Sequence, residues 1–87
     1  MSEQQVRELS RLRWQCRRGM LELDALLGDF VDHHYLSLDE QQQVTFKTIL
    51  SYPDQLLFDY FFGNGKPIDK DVNHVIERIR QAVTPQM

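Results

Sequence analysis

Cys16, Asp29, His33 and His34 are the side chains of this sequence best suited to nucleophilic or metal chemistry, and their spacing argues against both. His33 and His34 are adjacent, so on a helix they diverge by about 100° and cannot chelate one metal by local spacing. Asp29, four residues before His33, adds a second donor, but helix surfaces produce such pairs freely. The plainer reading is an amphipathic helix end with cationic character near the negative end of its dipole. Cys16 is followed by Arg17 and Arg18, which could lower a thiol pKa, yet no His is close in sequence. Its position also falls in the apolar phase of its helix, so a packed side chain is expected. Gly63-Asn64-Gly65-Lys66 lacks the G-x-x-x-x-G-K-[ST] phosphate-binding pattern and reads as a helix stop.

The stretch Arg17-Arg18-Gly19-Met20-Leu21-Glu22-Leu23-Asp24 withstands the same scrutiny better. Gly inside a helix costs about 1 kcal/mol relative to Ala, so its presence beside two Arg asks for a reason. On a helical wheel Met20, Leu23, Leu27, Phe30 and Val31 share one side, while Arg18, Glu22 and Asp29 fall on the other. Asp24 lies at the edge of the apolar face. Arg18 and Glu22 are then outward i, i+4 neighbours. An ordinary surface ion pair of roughly 0.3 to 0.5 kcal/mol, with Gly19 as a junction between helices, accounts for this as well as a functional patch does. Gly19 favours the patch, because a position without a side chain between exposed Arg and Glu admits close approach by another backbone or a planar ligand.

The elements that would position these residues are helices, because apolar residues recur at three and four rather than at two. A first helix over about 3–16 carries Val6, Leu9, Leu12 or Arg13, and Cys16. A second is expected from Gly19 to His34. A third begins at Ser37, where Ser37-Leu38-Asp39-Glu40 has the capping-box form, and takes its apolar residues from Val44, Phe46, Ile49 and Leu50. Ser51 and Asp54 repeat that pattern before a short fourth helix through Leu57, Phe58, Phe61 and Phe62. Gly63-Asn64-Gly65 would end it in the left-handed conformation. A last helix from Asp69 to Val83 has Val72, Val75, Ile76, Ile79 and Val83 on one side, and residues 84–87 are expected to fray. Short connectors favour antiparallel neighbours, hence an all-α, compact single-domain bundle of about five helices. The aromatics from Phe58 to Phe62 cannot all point inward, so Tyr60 or one Phe is expected outside.

Composition narrows the function classes. With 87 residues, 41% hydrophobic and 26% charged, one globular domain over residues 1–87 is expected. Ten Lys and Arg against 13 Asp and Glu give a net charge of −3, which supplies no cationic field for nucleic acid. The aromatic cluster from Phe58 to Phe62 has no Lys or Arg interleaved, as a base-stacking platform would. A single Cys excludes an internal disulfide, and a reducing compartment is the simpler assumption. No signal-peptide h-region or apolar run of about 18 residues is present, so the expected place is the cytoplasm, without membrane insertion.

Trp14-x-Cys16-Arg17-Arg18-Gly19-Met20-x-Glu22-Leu23-Asp24 resembles the signature of the SdhE (YgfY) family of flavinylation factors, also called succinate dehydrogenase assembly factor 2. The resemblance continues through Phe30, Tyr35, Leu38, Leu50, Pro53-Asp54, Leu57-Phe58 and Gly65-Lys66-Pro67. Tyr60 stands where many bacterial members carry Trp. The resemblance implies a five-helix protein that binds the flavoprotein subunit of succinate dehydrogenase, or of fumarate reductase, and promotes covalent attachment of FAD to a His of that subunit. Arg18, Gly19 and Glu22 match the family's R-G-x-x-E motif, and Trp14, Arg17 and Asp24 match neighbouring signature positions. It implies a chaperone-like factor rather than an enzyme, monomeric when free, with FAD belonging to the partner and no cofactor held tightly by this chain. Two other classes stay open: a regulator unrelated to flavin, such as an antitoxin, and a small enzyme using His33, Asp29 or Cys16.

Overall fold

Five α-helices and one 3₁₀ turn make up the regular structure of the computed structural model, which describes residues 2–83 and, for residue 83, the backbone alone. The expected placement of Val83 on the apolar face and the expected fraying of residues 84–87 lie outside the described residues. Helix α1 spans Glu3–Gln15 and opens with a capping box in which Ser2 accepts from the Gln5 amide while the Gln5 side chain accepts from Ser2. Helix α2 spans Leu21–His33, α3 Glu40–Leu50, α4 Asp54–Phe62 and α5 Lys70–Val83. The fold is all-α, as the periodicity requires, and among the described residues there is no strand.

Several helix ends differ from expectation, each for a local reason. Helix α2 starts at Leu21 rather than Gly19, because Gly19 sits at φ 87°, a left-handed conformation that a right-handed helix cannot include. Ser37 does not cap α3: it belongs to the 3₁₀ turn Tyr35–Ser37, and its hydroxyl donates to the His34 carbonyl at 2.6 Å. Asp39 takes the role, accepting from the Gln42 amide at 2.8 Å while Gln42 reaches back to the Asp39 amide. Ser51 closes α3 by donating to Thr48 instead of opening α4, whose N-cap is Pro53 with no side-chain cap. Asp69 caps α5 from outside, its carboxylate accepting from the Asp71 and Val72 amides. Gly63 is extended, at φ −108° and ψ −151°, not left-handed. The Asp59 carboxylate occupies the space that a Cβ at Gly63 or Gly65 would take, and at Gly63 the Asp59 carbonyl is close as well.

Leu12 of α1 and Cys16, which caps it, meet Leu23, Leu26, Leu27, Phe30 and Val31 of α2 in one buried cluster, which α3, α4 and α5 complete. Phe46 stands at its centre, with ring centroids 5.5 Å from Phe30 and 5.6 Å from Tyr35. Helix α5 packs against α2, α3 and α4, so elements far apart in sequence share this core. Val6 and Val44, expected inside, are about half exposed, since α1 and α3 each turn that part of their surface to solvent. Of the α4 aromatics, Phe61 is buried, Phe62 is 48% exposed and its ring lies tilted against half-buried Phe58, and Tyr60 lies against Tyr52. No helix among the described residues is long and apolar enough to cross a membrane.

Two buried protons tie this core to pH. Desolvation pushes the Cys16 thiol up to about 12, outweighing the opposing pull of the Arg18 charge. Burial also raises the Tyr35 phenol, aided by its hydrogen bond to Glu8 at 3.1 Å. Both pKa values are higher folded than unfolded, so this stability is fully present below the unfolded values and is lost progressively as pH rises from them toward the folded ones. Urea midpoints should therefore fall between pH 8.5 and about 10.5 by an amount equivalent to roughly 1–2 kcal/mol, with part of the fall absent in Cys16→Ala measured against its own baseline.

Candidate functional site

The turn from α1 into α2 folds around a single carboxylate. After Gln15 the Cys16 amide closes the helix on Leu12 and Arg13, and the Arg17 amide donates to the Trp14 carbonyl. The next two amides leave the helical pattern and converge on Asp24: Arg18 N–H donates to Oδ1 at 2.7 Å and Gly19 N–H to Oδ2 at 3.2 Å. Asp24 lies in the first turn of α2, where a negative charge is also favoured by the helix dipole. One side chain thereby fixes the left-handed Gly19 against the start of α2.

Arg18 does not point outward, which corrects the helical-wheel expectation, and it makes no ion pair with Glu22. Its side chain is only 12% exposed and reaches the connector between α3 and α4. Nη1 donates to the Tyr52 carbonyl at 2.9 Å and to Asp54 Oδ1 at 2.5 Å, and Nη2 donates to the Leu50 carbonyl. Its Nε is buried without an acceptor. The wheel fails here because Arg18 precedes the first residue of α2, so the phase of that helix does not govern it.

The remaining motif residues are presented to solvent. Glu22 is exposed on the first turn of α2. Trp14 is 71% exposed, and the Arg17 guanidinium lies over its ring at 5.1 Å, a cation–π contact that holds both against the surface. Trp14, Arg17, Gly19 and Asp24 line an open groove of about 750 Å³ between α1 and α2, with Leu21 and Gly28 on its α2 side. Arg13 and Asp32 form an ion pair at 3.2 Å between the two helices. Leu21, 82% exposed, escaped the sequence reading although its signal was available: it falls off the phase set by Leu23 and Leu27. The Arg13–Asp32 pair and the connector acceptors of Arg18 carry no local sequence signal.

The other candidates separate from this site. Cys16 borders the groove but is 2% exposed, and its neutral thiol suits packing, as expected. His33 pairs with Asp29 at 3.4 Å on an exposed helix end, while His34 stacks on Phe30. Among the described residues no group of three His, Cys, Asp or Glu is placed to hold a metal ion.

Residues 10–83 match the family model Sdh5, described as flavinator of succinate dehydrogenase. The chain is 44% identical to the FAD assembly factor SdhE of Pseudomonas aeruginosa over 78 residues, covering 90% of this chain and 93% of that protein. It is 43% identical to the FAD assembly factor SdhE of Idiomarina loihiensis, covering 86% and 83% of the two chains. With that of Shewanella oneidensis the identity is 36%, covering 93% of this chain and 99% of the relative. A match of this extent, across the groove and every helix of the core, places the chain in the SdhE family of FAD assembly factors.

Proposed function

We propose that the chain binds the flavoprotein subunit of succinate dehydrogenase, and that of fumarate reductase, and promotes its covalent flavinylation with FAD. The observation that carries this reading is the α1–α2 junction, where Gly19 at φ 87° lies bare beside exposed Trp14, Arg17 and Glu22 while Arg18 and Asp24 brace it from behind. Such a surface lets another protein's backbone come close at Gly19, with an aromatic and two charges available for flanking contacts. Arg17 and Glu22 would make charge-assisted contacts. Trp14 would contribute buried area at the rim of the groove.

FAD belongs to the partner on this reading. In the groove, Asp24 and Asp32 accompany Arg13 and Arg17, so a diphosphate would meet as many carboxylates as guanidiniums. That lining fits a protein surface of mixed charge better than a dinucleotide. The chain acts as a chaperone-like factor, monomeric and cytoplasmic, and the flavoprotein's own His forms the bond to the flavin. Its part is to hold the flavoprotein in an arrangement competent for that bond.

The test is flavin fluorescence of the flavoprotein subunit in denaturing gels, from cells with and without this gene. Covalent flavin should be lost in the deletion and restored by the wild-type chain. Glu22→Ala should restore it poorly while melting within a degree or two of wild type, because Glu22 is exposed and surface substitutions seldom alter stability by more than about 0.5 kcal/mol. Unchanged covalent flavin in the deletion strain would sink the reading.

A further inference from the structure

All three acceptors of the Arg18 guanidinium lie between Leu50 and Asp54, so one side chain of the R-G-x-x-E stretch is committed to a loop more than thirty residues away. The backbone of the same residue is held by Asp24. Arg18 is therefore a strut: one end fixes the amides that set Gly19, and the other fixes the connector between α3 and α4. On that connector Ser51 and Pro53 are exposed and Tyr52 is half-buried. Among the described residues Asp54 is the only charged acceptor of the guanidinium, and its carboxylate is more than half shielded.

We propose that Asp54 is a positioning residue for partner docking: through Arg18 it fastens residues 51–53 to the α1–α2 junction, so that the flavoprotein meets both segments as one surface. The inference rests on the function proposed above and extends its surface to a segment not assigned to it. A guanidinium whose donors are spread over one carboxylate and two carbonyls fixes the orientation of the loop, which a single point charge would not do. The connector is short, and its inner hydrogen bonds, Tyr52 N–H to Ile49 and Leu57 N–H to Pro53, are the ones that loosen when the strut is cut.

Binding of the purified full-length chain to the flavoprotein subunit, measured by calorimetry well below the melting temperature, tests this together with amide hydrogen exchange. Asp54→Asn should weaken docking about tenfold, the size expected when one charged hydrogen-bond partner is lost. It should also speed exchange at the Tyr52 and Leu57 amides. Asp54→Glu should recover most of the affinity. Asp71→Asn removes a first-turn carboxylate from α5 in the same way and should leave docking unchanged. In a double-mutant cycle Arg18→Lys with Asp54→Asn should cost less than the two single losses added, since both cut the same strut. Wild-type affinity and exchange in Asp54→Asn, or equal losses in Asp54→Asn and Asp71→Asn, would overturn the inference while the proposed function stands. Failure of the wild-type chain to bind the flavoprotein would overturn that function first.

Discussion

Gly19→Arg abolishes covalent flavin on the partner subunit and leaves the helices folded: that is the expected result of closing the bare turn between α1 and α2. A Cβ at Gly19 would meet no atom within 4 Å, so an added side chain extends into open space beside the groove rather than into the core. The fold pays only for the backbone, because φ 87° costs a residue with a Cβ about 1–2 kcal/mol. Against a typical stability of roughly 5–15 kcal/mol that is tolerable, and it should lower Tm by about 5–15 °C. Gly19→Ala separates the two effects, since it carries the same backbone cost without the bulk. The alanine variant should melt like the arginine variant yet retain most flavinylation when assayed below its melting range. Circular-dichroism melts and in-gel flavin fluorescence read the two quantities. Equal loss of flavin in both variants would move the explanation from close approach to backbone strain.

The contrast between Gly19 and Arg18 shows where sequence reasoning reaches. Leu23, Leu27, Phe30 and Val31 were legible as core because burial of one helix face is a periodic demand, and each of them is buried. Gly19 was legible as an anomaly, but the wheel assigned it to a helix that begins two residues later. The wheel puts Arg18 on the wrong side for the same reason: its acceptors are 32 to 36 positions away, and nothing local announces them. The caps show a milder failure. Ser37 and Asp39 both have cap chemistry, and only the 3₁₀ turn at Tyr35–Ser37, which occupies the Ser37 hydroxyl, decides between them. Resemblance names the motif residues, whereas the division between those that face solvent and those that brace the turn requires the tertiary structure.

Arg18→Ala should therefore fail differently from Gly19→Arg, by loss of stability. The substitution strips donors from the Leu50 and Tyr52 carbonyls and from the Asp54 carboxylate, and it opens a gap beneath the α1–α2 turn. Leaving one partner of a buried pair uncompensated costs about 3–5 kcal/mol, but the Asp54 side chain is 38% exposed and can regain water. The Arg18 Nε–H, buried without an acceptor, is an expense that the variant removes. The net loss should be about 2–3 kcal/mol, enough to lower Tm by roughly 10–20 °C for a domain of this size. Arg18→Lys keeps a charge within reach of Asp54 but cannot span both carbonyls, so it should fall between wild type and alanine. If Arg18 were instead a solvent-facing contact, alanine would melt within a degree or two of wild type and act only through docking. Urea unfolding of the three proteins decides between a strut and a contact before any partner is added.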